Sequence, residues 1–138
     1  MEIDFEHSTI LRVRYGETDQ MGYCYYGNYA QYFEVGRVEA MREIGMSYKE
    51  LEKQGVMLPV SEFQVTYKTP ALYDDELKVL TKITGLKGVR LYFEYAIFNE
   101  KNELVCTAST TLVFVSKATM KPIQAPEKFT SLISKYAK

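Results

Sequence analysis

The 138 residues, 46% hydrophobic and 25% charged, have the size and balance of one domain with its own core, spanning 1–138 with no room for a second. A formal net charge of -1 offers no basic field for a phosphate backbone, so nucleic-acid binding is not expected. Residues 1–10 carry Glu2, Asp4 and Glu6 and no apolar run. No stretch elsewhere reaches membrane length, so the expectation is a cytoplasmic protein with neither a secretory signal nor a membrane insertion. Two cysteines, Cys24 and Cys106, and one histidine, His7, are too few for a disulfide framework or a structural zinc site; no metal and no cofactor are expected.

In chain order, residues 10–16 alternate as a first strand, and a loop, Gly16-Glu-Thr-Asp-Gln-Met-Gly22, follows. The spacing then predicts one long helix of about 17 residues between a cap at Asn28, answered by Gln31, and a left-handed stop at Gly45. Its inner stripe is Tyr29, Tyr32 or Phe33, Gly36, Ala40 and Ile44, with Gly36 allowing close approach. Ser47 and Glu50 form a capping box for a short helix ending at Gly55. Strands are predicted over 56–67, 77–84, 89–98 and 104–115, joined by hairpin connections at 85–88 and 99–102 and followed by an amphipathic tail over 126–136. The order predicts an α+β domain in which a sheet wraps one helix. Leu80, Tyr92, Phe98, Val105, Val113 and Val115 fall on the face away from the helix, which calls for a partner copy.

Nucleophiles of the Ser-His-Asp or Cys-His kind need a histidine near the centre of the fold, and His7 lies in an N-terminal segment expected to be mobile. Carboxylate chemistry remains. Asp19 precedes the long helix, close to Gly22 and to the backbone N–H groups around Tyr25, Tyr26 and Gly27, an anion-friendly end that can stabilise an oxyanion. One carboxylate suffices against a thioester because a thiol of pKa about 8.5 leaves without a strong general acid. From spacing alone the simpler reading of Asp19 is a loop or helix-capping carboxylate that binds only backbone.

The segment Arg14-Tyr15-Gly16-Glu17-Thr18-Asp19-Gln20-Met21-Gly22, then Tyr25, Asn28-Tyr29 and Phe33-Glu34-Val35-Gly36-Arg37, resembles a linked pattern, R-Y-x-D-T-D-x-x-G, Y-x-x-N-Y and F-x-E-x-A-R. That pattern is the mark of the 4-hydroxybenzoyl-CoA thioesterase family of hotdog proteins, and of its tol-pal-associated acyl-CoA thioesterase branch. Residues 73–77 and Met120-Lys121-Pro122 with Pro126 extend the resemblance over nearly the whole chain. It implies a hotdog fold, a five-stranded antiparallel sheet around one long central helix, and hydrolysis of a short-chain or aromatic acyl-CoA in a homodimer or homotetramer with its sites between protomers. It implies Asp19 as nucleophile or general base and the Tyr26 backbone N–H as the group that polarises the carbonyl. Glu17 replaces the family's first aspartate, Gly36 its usual alanine, and Tyr26 stands where the branch often has histidine.

Asn28 is assigned both to the cap and to orienting the site; Gly22, Tyr25 and Tyr29 are assigned to substrate binding, with Tyr23, Tyr25 and Tyr29 lining an acyl tunnel or packing the core. Of the basic residues near turns, Lys68, Lys87, Arg90, Lys117 and Lys121, Arg90 is favoured for CoA because its fork suits phosphate. Glu34, a rival nucleophile, is read as pairing with Arg37 or the first strand. Two other readings stay open: a catalytically weak acyl-CoA or acyl-carrier binding module, and a thioesterase of acyl-carrier protein.

Overall fold

The computed structural model describes residues 1–138. Its main sheet has five antiparallel strands, β1 (Glu2–Arg12), β3 (Val60–Tyr67), β4 (Glu76–Lys87), β5 (Arg90–Phe98) and β6 (Leu104–Val113), in the order β1-β4-β5-β6-β3. A two-stranded ribbon joins β2 (Val56–Met57) to β7 (Val115–Ser116). The long helix α1 (Tyr29–Ile44) lies over β1 and β4, α2 (Tyr48–Lys53) follows it, and α3 (Glu127–Ile133) closes the chain. This is the expected α+β arrangement of one long helix on a five-stranded antiparallel sheet.

The alternation of β4 and β5 explains the core. Leu77, Val79, Thr81 and Ile83 share the helix side with Leu91, Phe93, Tyr95 and Ile97, and all eight are buried. Against them α1 sets Tyr29, Tyr32, Phe33, Gly36, Ala40 and Ile44, the stripe expected from its spacing, together with Arg37 and Met41. Gly45 ends the helix at φ +106°, its N–H returning to the Met41 and Arg42 carbonyls. Ser47 Oγ accepts the Glu50 N–H at 3.2 Å and starts α2, as its spacing predicts. Phe129 and Ile133 anchor the tail in the core.

Several expectations need correction. The first strand runs over Glu2–Arg12 rather than 10–16. Ile3 and Phe5 alternate with Glu2, Asp4 and Glu6, so the acidic face is the solvent side of a paired strand, and His7 is held in register with Thr81 instead of lying in a mobile segment. Pro59 divides the strand expected over 56–67 into β2 and β3, because it has no N–H to give to a ladder. Gly85 lies inside β4 at a bulge, and the turn falls at Gly88, φ +62°. Val105 and Val115 are buried, leaving Leu80, Tyr92, Phe98 and Val113 among Lys82, Glu94, Thr107 and Ser109 on the open face. That face is less apolar than the alternation suggested.

Gly36 is where helix and sheet come closest. A Cβ there would sit 2.3 Å from Thr81 Oγ1 and 2.9 Å from Val79 Cγ1. Gly36→Ala is therefore expected to cost about 1–3 kcal/mol by overpacking. Thr81→Ala in the same chain is expected to recover part of that loss, since it removes the nearer contact and a buried hydroxyl without a partner. Urea denaturation of the two single variants and the double variant measures the coupling.

Candidate active site

The loop between β1 and α1 is built around Glu17. Its side chain is buried; Oε1 accepts the Arg14 N–H at 2.8 Å and the Tyr32 hydroxyl at 2.9 Å, and Oε2 accepts the Arg14 guanidinium at 3.1 Å. Its carbonyl accepts the Tyr25 N–H at 2.8 Å and Asn28 Nδ2 at 2.8 Å. Burial alone would raise the Glu17 pKa, but the hydrogen bonds from Arg14 and Tyr32 outweigh it and hold the carboxyl below its ordinary value. One acid thus ties the strand end, the loop return and the helix together.

Asp19 projects from the turn this knot supports. Its Oδ1 accepts the Met21 and Tyr23 N–H groups at 2.9 and 3.2 Å, and its own N–H bonds to the Tyr23 carbonyl at 2.8 Å. These local bonds are the backbone-binding role that spacing suggested, yet they engage one oxygen only, and Oδ2 accepts none. Gly22, at φ +79°, supplies the left-handed step that brings the chain back. Asp19 lines a cleft of about 290 Å³ with Met21, Tyr23, Tyr26, Tyr67 and Lys68, and on its other side a cleft shared with Tyr25 and Asn28.

A 3-10 turn over Tyr26–Asn28 leads into α1. The Asn28 N–H bonds to the Tyr25 carbonyl at 2.9 Å, whereas the Tyr26 and Gly27 N–H groups make no intramolecular bond. They are the free donors of a helix start, beside the cleft that holds Asp19. Asn28 is not a side-chain cap. It already has helical angles, and its amide is spent on the Glu17 carbonyl, with Gln31 exposed.

The structure therefore brings together Asp19, Gly22, Tyr25, the Tyr26 N–H and Asn28. Tyr29 lies beneath them, buried, its hydroxyl accepting the Ala71 N–H at 3.4 Å and its ring 5.4 Å from that of Tyr67. Arg90 does not join the group within a protomer: it begins β5, at the end of the sheet remote from Tyr67. Lys68 is the basic residue that lines the Asp19 cleft of about 290 Å³. Glu34 is exposed and makes no ion pair with Arg37, which turns inward to the Tyr95 hydroxyl at 3.3 Å. The central role of Glu17 has one signal in the sequence, Arg14 three residues before it. Both cysteines are poor nucleophiles, since burial pushes the Cys24 thiol up and that of Cys106 to about 12.

Because the Glu17 value is depressed on folding, its stabilising effect is complete above the ordinary carboxylate range and is lost as pH falls from there through the lowered value. Glu17→Gln is expected to cost about 2 kcal/mol at pH 7. Thermal unfolding of parent and variant should show that gap closing below about pH 4.

Residues 13–133 match the thioesterase-like superfamily. A putative acyl-CoA thioesterase, YneP of Bacillus subtilis, is 37% identical over 128 residues, covering 93% of each chain. The acyl-CoA thioester hydrolase YbgC of Escherichia coli is 34% identical over 117 residues, covering 85% of this chain and 87% of that one. The crystal structure of a DHNA-CoA thioesterase from Staphylococcus aureus superimposes with a TM-score of 0.91 at 39% identity, over 94% of this chain and 89% of that one. With its hotdog sheet and helix, the chain belongs to the thioesterase-like superfamily, whose members hydrolyse thioesters.

Proposed function

We propose that this protein hydrolyses a short-chain or aromatic acyl-CoA to the free acid and CoA, with Asp19 as its catalytic carboxylate. The observation that carries the reading is the meeting of a half-engaged carboxylate and a free helix-start N–H on one cleft. The thioester carbonyl accepts from the Tyr26 N–H, whose dipole takes up the charge developing on oxygen. Asp19 Oδ2 either attacks the carbonyl carbon or takes a proton from a water that attacks it. In the first case collapse expels the CoA thiolate and leaves an acyl-aspartyl anhydride, which water hydrolyses to the free acid and the restored carboxylate. In the second, collapse gives the acid directly, and in both cases the proton released from water goes to the thiolate. Gly22 and the Glu17 knot keep Asp19 and Tyr26 in fixed relation, and Tyr25, whose ring lies 4.7 Å from that of Tyr26, walls the approach. Lys68 supplies positive charge at the mouth for a CoA phosphate. The name of the Staphylococcus aureus relative supports the aromatic end of the substrate range.

The same reading makes the chain a homo-oligomer. The outer edge of β3 has no neighbour strand, and Phe63 and Tyr67, on the helix side of the sheet, stay 43% and 47% exposed because α1 lies over the opposite edge. A second copy adding its own β3 antiparallel would cover both, and a two-fold contact of that kind closes on itself. No helix is long and apolar enough to cross a membrane.

Thiol release from a panel of acyl-CoAs, with matched acyl-carrier-protein thioesters alongside, tests the activity. The parent is expected to turn over CoA thioesters, and Asp19→Asn to lose about a hundredfold or more in kcat/KM with its fold intact. Binding without turnover in the parent would favour a binding module instead. Light scattering is expected to give at least twice the chain mass of 16.0 kDa.

A further inference from the structure

The orientation of the Asn28 side chain follows from the chemistry of its partner. The amide lies 2.8 Å from the Glu17 carbonyl, and a carbonyl oxygen can only accept, so Nδ2 must face it and Oδ1 is turned elsewhere. No donor of the chain reaches Oδ1. The buried side-chain atoms without a partner are Arg37 Nε, the Tyr48 hydroxyl and Thr81 Oγ1, so Asn28 Oδ1, on a half-buried residue, is open to water. Asp19 is in the same condition: Oδ1 is held by the Met21 and Tyr23 N–H groups, while Oδ2 accepts nothing and is likewise open.

Both residues line the cleft of about 690 Å³ that also takes in Tyr15, Thr18, Gln20 and Tyr25. Asp19 is the one residue this cleft shares with the cleft of Met21, Tyr23, Tyr26 and Tyr67, so its carboxylate stands between two spaces. Neither Asn28 Oδ1 nor Asp19 Oδ2 can donate to the other, since an amide oxygen and an ionised carboxylate only accept. The Thr18 hydroxyl is committed to the Tyr15 carbonyl at 2.7 Å and brings no proton to them. Two unmet acceptors on one polar, open cleft call for a molecule with two O–H donors, which is water.

We propose that Asn28 Oδ1 and Asp19 Oδ2 together hold the hydrolytic water, which enters by the Tyr15–Gln20 cleft while the thioester lies on the Tyr26 side of Asp19. The inference rests on the thioesterase reading and deepens it. Each acceptor takes one O–H of the water, which leaves the lone pairs of its oxygen free to face the carbonyl carbon. In the direct route the water oxygen bonds to that carbon and one proton passes to Asp19. The C–S bond then breaks with its electron pair on sulfur, and sulfur takes the proton. In the covalent route Asn28 holds the water that opens the anhydride and restores the Asp19 carboxylate. Asn28 accepts a hydrogen bond throughout and is itself unchanged.

The test gives the enzyme a second nucleophile. Acyl-CoA turnover is followed with hydroxylamine present, as the ratio of hydroxamate to free acid, after subtracting the background seen with Asp19→Asn. Asn28→Ala is expected to lose about tenfold or more in kcat for hydrolysis with little change in KM, and to raise the hydroxamate-to-acid ratio by a similar factor. A merely structural Asn28 would misplace Asp19 and Tyr26 for both nucleophiles alike, so a fall in rate at constant ratio overturns the proposal. A high-resolution crystal structure of the parent tests the same claim without turnover and without the variant. It is expected to show a water within about 3.2 Å of both Asn28 Oδ1 and Asp19 Oδ2. The absence of a bridging water overturns the proposal even if Asn28→Ala fails to fold. A bridging water in a parent that hydrolyses no acyl-CoA defeats the hydrolase reading alone. Parent turnover with an unmoved ratio in Asn28→Ala defeats this inference alone.

Discussion

The Glu17 carboxylate is the interaction on which the functional end of this molecule depends. A loop of exposed tyrosines has little apolar burial to fix it, so its conformation must come from hydrogen bonds, and those to a buried charge are the strong kind. Glu17 takes bonds from Arg14 at the end of the strand and from Tyr32 one turn inside the helix, while its carbonyl holds Tyr25 and Asn28. Remove the charge and the strand end at Arg14 and the helix at Tyr32 lose their common reference. The Asp19 turn and the 3-10 turn at Tyr26 hang from this knot on either side, which makes Glu17 a positioning residue for both.

The division of labour between the two acids follows from their surroundings. Glu17 is buried and fully engaged, so it orders. Asp19 is half-buried with one oxygen committed to the local turn, so it is steered yet keeps an oxygen for chemistry. The group that Tyr26 brings to the cleft is its backbone N–H. Helix, sheet and loop converge there because Gly36 lets α1 settle onto Val79 and Thr81.

Much of this was legible in the sequence, for identifiable reasons. Periodicity of 3.6 in Tyr29, Phe33, Gly36, Ala40 and Ile44 and of two in Leu77, Val79, Thr81 and Ile83 gave helix and strands, since both elements bury one clean face. The first strand was hidden because Glu2, Asp4 and Glu6 look like a solvated tail until Ile3 and Phe5 are seen as the other face. Asn28 looked like a cap because spacing does not reveal that its amide is spent on a carbonyl eleven residues earlier. The bond between Glu17 and Tyr32 could not be found by periodicity, for its meaning lies in a partner made across the fold. Asp19 was singled out by its motif; geometry adds which of its oxygens is free.

The most direct test of the central claim is a crystal structure with a non-hydrolysable acyl-CoA analogue that keeps the carbonyl. The carbonyl oxygen is expected within hydrogen-bonding distance of the Tyr26 N–H, about 2.9 Å, with Asp19 Oδ2 facing the carbonyl carbon directly or through one water. A carbonyl seated away from Tyr26, with Asp19 still bound only to its own turn, would contradict the claim.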